Sequence, residues 1–137
     1  GNLSAFGKNI RLNKCMGYFN NIYPFSPRLP EGCPIDIDRY DIISFSGKCQ
    51  SYITSLGSCR EPSSDEMAKF ASEDACVSYI RENFGGYGKC YENHRLDKDF
   101  LSNAWYAWLG KPMPFDPLHD HILLLDKNGL LVDEYIY

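Results

Sequence analysis

The residues best able to do covalent chemistry in this chain are its six cysteines. They are Cys15, Cys33, Cys49, Cys59, Cys76 and Cys90. No pair has the C-x2-C spacing of a zinc ribbon or knuckle, and the three His are not interleaved with them at zinc-finger spacing. An even number of cysteines at patterned spacings predicts disulfides and an oxidising compartment. Because oxidised cysteines offer no thiolate, cysteine nucleophile chemistry is not expected.

Three of these cysteines open a repeated unit, in which Tyr follows three residues later and Ile or Phe comes next. The copies are Cys15-Met16-Gly17-Tyr18-Phe19, Cys49-Gln50-Ser51-Tyr52-Ile53 and Cys76-Val77-Ser78-Tyr79-Ile80. Positions i, i+3 and i+4 share one face of an α-helix. Each opening cysteine is therefore predicted to lie on an apolar helical stripe.

A second cysteine follows each copy of the unit, which favours pairing in succession. The predicted disulfides are Cys15 with Cys33, Cys49 with Cys59, and Cys76 with Cys90. Six cysteines allow 15 connectivities, so other pairings stay open. Loops of this size would each stabilise the fold by about 2–3 kcal/mol.

The most metal-like cluster is His119-Asp120-His121. Alternate residues of a strand share a face, so the two imidazoles could reach one ion. A third ligand would come from elsewhere, with His94 or Glu92 as candidates. The alternative interpretation is a polar segment at the start of a strand.

Glu92, His94 and Asp97 could form a hydrolase site, but no Ser stands in a G-x-S-x-G context. We therefore assign no catalytic, cofactor or metal-binding residue from the sequence. Gly85-Gly86-Tyr87-Gly88 lacks the Lys-Ser/Thr of a phosphate-binding loop and is predicted to be an ordinary loop.

The elements that would position these groups are mainly short helices. Ser46 is predicted to cap the second repeat, and Ser63 with Glu66 has the spacing of a capping box. Asp97 is predicted to cap a helix whose inner face is lined by Leu101, Ala104, Trp105, Trp108 and Leu109. Weak alternation between Ile35 and Phe45 predicts one short strand or extended run.

The last segment changes to a period of two residues. Runs 121–125 and 130–137 flank Asp126-Lys127-Asn128-Gly129, and Asn-Gly is a strong hairpin signal. An isolated hairpin is unstable in water, so this one should pack on the helices or find another strand. The predicted fold class is α+β in one domain, residues 1–137. Residues 1–110 would be mainly helical and disulfide-stapled, and residues 119–137 would form the hairpin.

Aromatic residues make up 15% of the chain. Three tyrosines stand at equivalent core-facing positions of the repeat: Tyr18, Tyr52 and Tyr79. Trp105 and Trp108 lie on the inner face of the helix predicted to begin at Asp97. The remaining aromatics are candidates for a binding surface. They are Tyr23, Phe25, Tyr87, Phe115, Tyr135 and Tyr137.

Composition limits the possible partners. The formal net charge of -4 argues against nucleic acid, and no apolar run is long enough to cross a membrane. The first residues do not have the charged and then apolar pattern of a signal peptide, so if the protein is exported, its signal or anchor would lie upstream of residue 1.

The tail from Asp120 to Tyr137 resembles the closing hairpin of lamin-tail-type domains. The match rests on Asp120, Ile122, Leu124, Asp126, Gly129, Val132, Asp133 and Tyr137. The whole arrangement of cysteine units, Trp-bearing segment and hairpin is similar to the C-terminal cysteine-rich regions of predicted exported proteins from uncultured small-genome bacteria. This resemblance implies an extracellular, non-catalytic module.

The sequence therefore predicts a structural or binding module of a secreted or cell-surface protein, located outside the cell or in its envelope. A surface protein or a glycan would be its partner, and no cofactor is expected. The alternative is a secreted hydrolase that uses a metal held by His119 and His121.

Overall fold

The computed structural model describes residues 9–25, 27–107, 116 and 118–136. These residues form an α+β fold in which disulfide-linked short helices precede a C-terminal hairpin, and this confirms the predicted fold class. In chain order the described elements are β1 (Ile10–Asn13), a 3-10 helix (Met16–Asn21), α1 (Arg39–Ile42), α2 (Gly47–Ser55), α3 (Ser64–Ala68), α4 (Asp74–Phe84), α5 (Gly86–His94), β2 (Leu101–Tyr106), β3 (His121–Leu125) and β4 (Leu131–Ile136).

Helices α2 and α4 carry the second and third copies of the repeat, and their predicted apolar stripes are confirmed. Ser46 Oγ caps α2 by accepting the N–H of Cys49 at 3.2 Å. The stripes of the two helices share one hydrophobic cluster with Phe70, which is 2% exposed. Its other buried members are Ile42, Cys49, Ile53, Leu56, Cys76, Ile80 and Phe84.

The predicted capping box begins the short helix α3. Ser63 Oγ accepts the N–H of Glu66 at 3.3 Å, and Glu66 Oε2 accepts the N–H of Ser63 at 2.9 Å. Two backbone donors that the first turn would leave unpaired are thereby satisfied.

The predicted pairing of the cysteines in succession is wrong. The disulfides join Cys15 to Cys90, Cys33 to Cys59 and Cys49 to Cys76. A cysteine on a helical stripe faces the neighbouring element that the stripe covers, so Cys49 on α2 meets Cys76 on α4. Cys59 follows α2 in the left-handed conformation, with φ of 57°. It is joined to Cys33, which lies in the proline-rich segment from Pro24 to Pro34.

The first copy of the repeat forms a 3-10 helix rather than an α-helix. With three residues per turn, Cys15 and Tyr18 fall on one side, and both are buried. Ile22, which an α-helical stripe would bury, is 74% exposed. Cys15 and Tyr18 join Cys33, Cys59, Cys90 and Phe100 in a second buried cluster around two disulfides.

The helix predicted to begin at Asp97 is wrong over residues 101–106, which form strand β2. This strand pairs antiparallel with β1, placing Arg11 opposite Trp105. Hydrogen bonds from Lys14 N–H to Phe100 O at 3.1 Å and from Ser102 Oγ to Leu12 O at 3.3 Å hold the pair together. Trp108 and Leu109 lie outside the described residues.

Two further predictions need correction. Gly85-Gly86-Tyr87-Gly88, predicted as a loop, contains the start of α5 at Gly86. Gly86 has φ of +78°, and a Cβ there would lie 2.6 Å from Glu61 Oε2, so glycine allows the chain to turn directly from α4 into α5. The segment from Ile35 to Phe45, predicted to hold one short strand or extended run, has no described strand and contains α1, at whose start Asp38 Oδ1 accepts the N–H of Tyr40 at 2.8 Å.

Candidate binding surface on the C-terminal hairpin

The predicted C-terminal hairpin is confirmed, and its turn is the three-residue type with Gly129 in a bulge. Gly129 has φ of +81°. Its N–H donates to Asp126 O at 3.0 Å, and the Asp126 N–H donates to Leu130 O at 2.8 Å. The turn is therefore set by Asp126 at one end and by a left-handed glycine at the other.

The Asp126 carboxylate holds the turn from inside. Oδ1 accepts the backbone N–H of Asn128 at 2.8 Å and that of Leu130 at 2.9 Å. Hydrogen bonds from Leu130 first and Asn128 second lower the pKa of Asp126. An ionised side chain thus takes the place of backbone partners in the loop.

The strands of the hairpin expose an unusual amount of apolar surface. Eight large apolar side chains on β3, β4 and the turn are between 49% and 66% exposed. They are Leu123, Leu124, Leu125, Leu130, Leu131, Val132, Tyr135 and Ile136. Beyond their mutual pairing, β3 and β4 make no extensive contact with another described helix or strand. The hairpin is therefore a two-sided apolar surface outside the buried clusters.

The cross-strand register shows which side chains share a face. Ile122 pairs with Tyr135 and Leu124 with Asp133, so these four side chains lie on one face. Leu123 pairs with Glu134 and His121 with Ile136 on the other face. Both faces combine apolar side chains with one or two carboxylates.

The outer edge of β3 has backbone groups without a ladder partner. Because the Asp126 N–H points to β4, alternation directs the N–H groups of Ile122 and Leu124 to β4 and those of Leu123 and Leu125 outward. In the described residues β3 pairs only with β4, so this edge is open. No Asp, Glu, Lys or Arg stands within β3 itself.

Carboxylates surround this edge. Between Asp116 and Ile136 the sequence has five carboxylates and one lysine, Lys127. Asp120 and Asp126 bound β3, and Asp133 and Glu134 stand in the middle of β4. The hairpin therefore presents an apolar surface inside a negatively charged frame.

The predicted metal ligands of the hairpin do not converge with a third one. His121 Nε2 lies 2.9 Å from Glu134 Oε2, and His119 Nδ1 lies 3.9 Å from Asp116 Oδ2. The structure does not bring His94 or Glu92 to them within its described residues. The one described group with metal-like spacing, Cys49 with Glu73 and Cys76, has both sulfurs in a disulfide.

His94 and Asp97 do come together, as the hydrolase alternative requires, but Glu92 pairs with Lys89 instead. His94 Nδ1 lies 3.0 Å from Asp97, and Nε2 lies 3.4 Å from Asp36. Both ring nitrogens therefore face carboxylates. The adjoining cleft of about 510 Å³ has no Ser, Thr or Cys among its described lining residues, so they supply no hydroxyl or thiol nucleophile beside His94.

The same group connects distant parts of the chain. Lys14 Nζ lies 2.7 Å from Asp97 and 2.8 Å from Asp99. Hydrogen bonds to Asp97 and then to Asp99 raise the pKa of Lys14, and Lys14 followed by His94 lowers the pKa of Asp97. The network braces the end of β1 against the residues after α5.

A second cleft, of about 530 Å³, lies between α3 and α4. Its lining is mainly apolar, from Met67, Val77 and Phe84, with Glu61, Asp74 and Arg81 at the surface. No sequence motif singled out this cleft.

Only some of the aromatic residues predicted to lie at the surface are exposed among those that the structure describes. Tyr23 is 45% exposed and Tyr135 is 63% exposed. Phe25 is buried at 5% exposure, and Tyr87 packs on Phe19 with ring centroids 4.4 Å apart, so neither presents a free ring. Phe115 and Tyr137 lie outside the described residues.

The core aromatics follow the repeat with one exception. Tyr18 is buried, while Tyr52 and Tyr79 pack against Phe70 and Phe45 with centroids 5.0 Å and 5.6 Å apart. Trp105, predicted to face the core, is 60% exposed because β2 turns it to the solvent side of the sheet. Sequence reasoning missed the exposed Tyr40, which is 85% accessible beside Asp38 and Asp41.

No family profile, curated protein sequence or solved structure matches the chain. Among the helices that the structure describes, none has the length and apolarity to cross a bilayer. The resemblance of the tail to lamin-tail-type hairpins stays a prediction.

Proposed function

We propose that this protein is a non-catalytic module, located outside the cell or in the cell envelope, that binds a partner through its C-terminal hairpin. The observation that carries the proposal is the exposure of eight large apolar side chains on one small hairpin. Contiguous apolar surface of this kind marks interaction sites on folded proteins.

The disulfides support the proposed location. All six cysteines are paired, and each is at most 5% exposed. Disulfides persist in secreted proteins and cell envelopes but are rare in the cytosol, where thiols are kept reduced. Three bridges around two small buried clusters are consistent with an oxidising environment.

The hairpin supports binding rather than a purely structural role. An isolated two-stranded hairpin is at best marginally stable in water, and here neither strand packs extensively on the described helices. A partner that covers the exposed leucines would remove apolar area from water and stabilise the hairpin. The arrangement thus favours a hairpin whose stable form is the bound one.

The hydrolase alternative has less support. It would need a third ligand near His119 and His121, or a hydroxyl or thiol nucleophile near His94, and the described residues bring neither to these positions.

The proposal can be tested by binding to an array of extracellular proteins and glycans. We expect the wild-type protein to bind a member of the array. The affinity should fall at least about ten-fold in the double variant Leu124→Ser/Tyr135→Ser, which removes apolar side chains from one face. The matched control is Ile43→Ser, because Ile43 is 71% exposed but lies at the end of α1. Helices α1 to α5 are called the helical body below. His119→Ala/His121→Ala should bind like the wild type.

Two results would contradict the proposal. One is binding that survives Leu124→Ser/Tyr135→Ser and is lost with Ile43→Ser. The other is a stoichiometric metal ion that is lost with His119→Ala/His121→Ala together with a hydrolytic activity.

A further inference from the structure

We propose that the outer edge of β3 binds an extended segment of a partner protein by β-strand addition, and that this segment has apolar residues at alternate positions and Lys or Arg at its ends. This inference rests on the proposed function of the hairpin and names the class of partner.

The first argument comes from the backbone. The outward N–H groups of Leu123 and Leu125 and the carbonyls beside them have no strand partner among the described residues. Natural edge strands are commonly protected by charged residues, proline or a covering segment. β3 has no Asp, Glu, Lys, Arg or Pro between Asp120 and Asp126, and it makes no extensive contact with another described element except β4.

The two edges of the hairpin differ in this respect. β4 has Asp133 and Glu134 at its centre, and Asp133 Oδ1 accepts the N–H of Glu134 at 2.9 Å. Adjacent carboxylates disfavour the approach of another strand to that edge. β3 is therefore the edge that remains open to pairing.

The second argument is the charge of the frame. Asp120 and Asp126 lie at the two ends of β3, and Lys127 is the one basic residue from Asp116 to Ile136. An added strand with Lys or Arg at its ends would place opposite charges beside both aspartates. Complementary charges across an interface promote encounter and fix register.

The same charges argue against a second copy as the occupant. Antiparallel pairing of two β3 strands centred on Leu123 would place Asp120 of each copy opposite Asp126 of the other. Like charges directly opposite each other destabilise a strand pair. The protein is accordingly expected to be monomeric in sedimentation experiments.

The side chains determine what the added strand would contact. Ile122 and Leu124 lie on one face of β3, and Leu123 and Leu125 on the other. A partner strand with Val, Ile or Thr at alternate positions would extend the apolar rows of these faces. Main-chain hydrogen bonds would provide affinity, and side-chain alternation would provide register.

The experiment uses a displayed library of random peptides of about 10 residues, long enough to cover a strand and both flanks. The library is selected on the wild-type protein, and the consensus peptide is then synthesised. We expect enrichment of alternating β-branched residues between Lys or Arg. Affinity should decrease as NaCl is raised from about 0.05 to 0.5 M, because salt screens the contacts with the aspartates.

The key variant is Leu123→Pro, which removes an outward N–H while leaving the bonds to β4 in place. Proline is tolerated in edge strands where its position faces away from the ladder. The variant loses the hydrogen bond from the Leu123 N–H and disturbs the adjacent main-chain hydrogen bond to the peptide. The affinity for the consensus peptide should therefore fall about ten-fold. Leu123→Ala, which keeps the N–H, is the matched control and should bind more tightly than Leu123→Pro.

A second variant covers the case in which Leu123→Pro disturbs the hairpin, which amide exchange at Ile122 and Leu124 would reveal. Asp120→Asn keeps the backbone and removes one of the two charges that flank β3, and it leaves Asp126 in place to hold the turn. This change should weaken the binding of the consensus peptide and make its affinity less dependent on salt concentration.

The outcomes separate this inference from the proposed function. Binding lost with Leu124→Ser/Tyr135→Ser but retained in Leu123→Pro would overturn strand addition and leave the hairpin as the binding surface. Binding of the consensus peptide that is retained in Leu124→Ser/Tyr135→Ser and in Leu123→Pro would overturn strand addition and the proposed function of the hairpin. A consensus without basic ends, or a dimer that Leu123→Pro abolishes, would overturn the stated partner.

Discussion

Cys15 is joined to Cys90, across 75 residues of chain, and this bond ties the segment after β1 to α5. The other two disulfides enclose 26 and 27 residues. A longer closed loop removes more entropy from the unfolded chain. The three bonds should therefore differ in what they contribute to stability.

We expect Cys15→Ser/Cys90→Ser to lower the free energy of unfolding by about 4–5 kcal/mol, against about 3.5 kcal/mol for Cys33→Ser/Cys59→Ser, on the chain-entropy argument. Urea denaturation of both variants measures the difference. Peptide mapping of the unreduced protein should recover Cys15 linked to Cys90. A map with Cys15 linked to Cys33 would contradict the fold described here.

Gly17 is packed where no side chain fits. A Cβ at this position would meet Cys59 Sγ and would lie 2.7 Å from Pro30 O. Gly17→Ala should therefore destabilise the protein by about 1–3 kcal/mol through overpacking. Gly32→Ala is the control, because nothing lies within 4 Å of a Cβ there. Equal midpoints of thermal unfolding for the two variants would show that Gly17 is not tightly packed.

Gly129 controls the hairpin alone. Its φ of +81° disfavours a side chain, so Gly129→Ala should destabilise the hairpin by about 1 kcal/mol. Since β3 and β4 make no extensive contact with the described helices, the unfolding midpoint of the helical body should stay unchanged. Hydrogen exchange at the amides of Ile122 and Leu124 reports the hairpin, and exchange in α2 and α4 reports the body. Faster exchange in α4 would indicate that the hairpin and the body unfold together.

The network of Lys14 with Asp97 and Asp99 makes stability depend on pH at both ends of the scale. Lys14 lowers the pKa of both carboxyls below their usual 3.8. Their contribution is present above the pKa of the unfolded chain and is lost as pH falls through the lower folded values. The pKa of Lys14 is raised above 10.5, so its contribution is complete below that pH and is lost as pH rises through the folded value.

Lys14→Met should lower the free energy of unfolding slightly at pH 7, because the ion pairs lie at the surface, and should reduce its dependence on pH below the usual carboxyl pKa. Denaturation at a series of pH values measures both effects. Lys98→Met is the control, because Lys98 is next to the same network in sequence but forms no ion pair with the described residues. An unchanged acid dependence in Lys14→Met would remove the network as its cause.

Much of the local structure could be predicted from the sequence. The stripes of α2 and α4, the Ser46 cap, the Ser63–Glu66 capping box and the Asn-Gly hairpin all depend on residues within one or two turns of each other. The site was predicted less well. The sequence predicts Tyr135 as a surface residue, but the exposure of the β3 edge depends on the lack of a packing neighbour among the described residues, which a local pattern cannot predict.

The sequence by itself determined that six cysteines lie on or beside short amphipathic segments and that the chain ends in a hairpin, because periodicity and turn chemistry act over a few residues. Only the tertiary structure decided that Cys49 meets Cys76, that residues 101–106 pair with β1 as a strand, and that the leucines of β3 stay exposed. Each of these outcomes depends on which surfaces pack together across long separations in the chain. Tertiary packing can override local helix preference, as it does in β2.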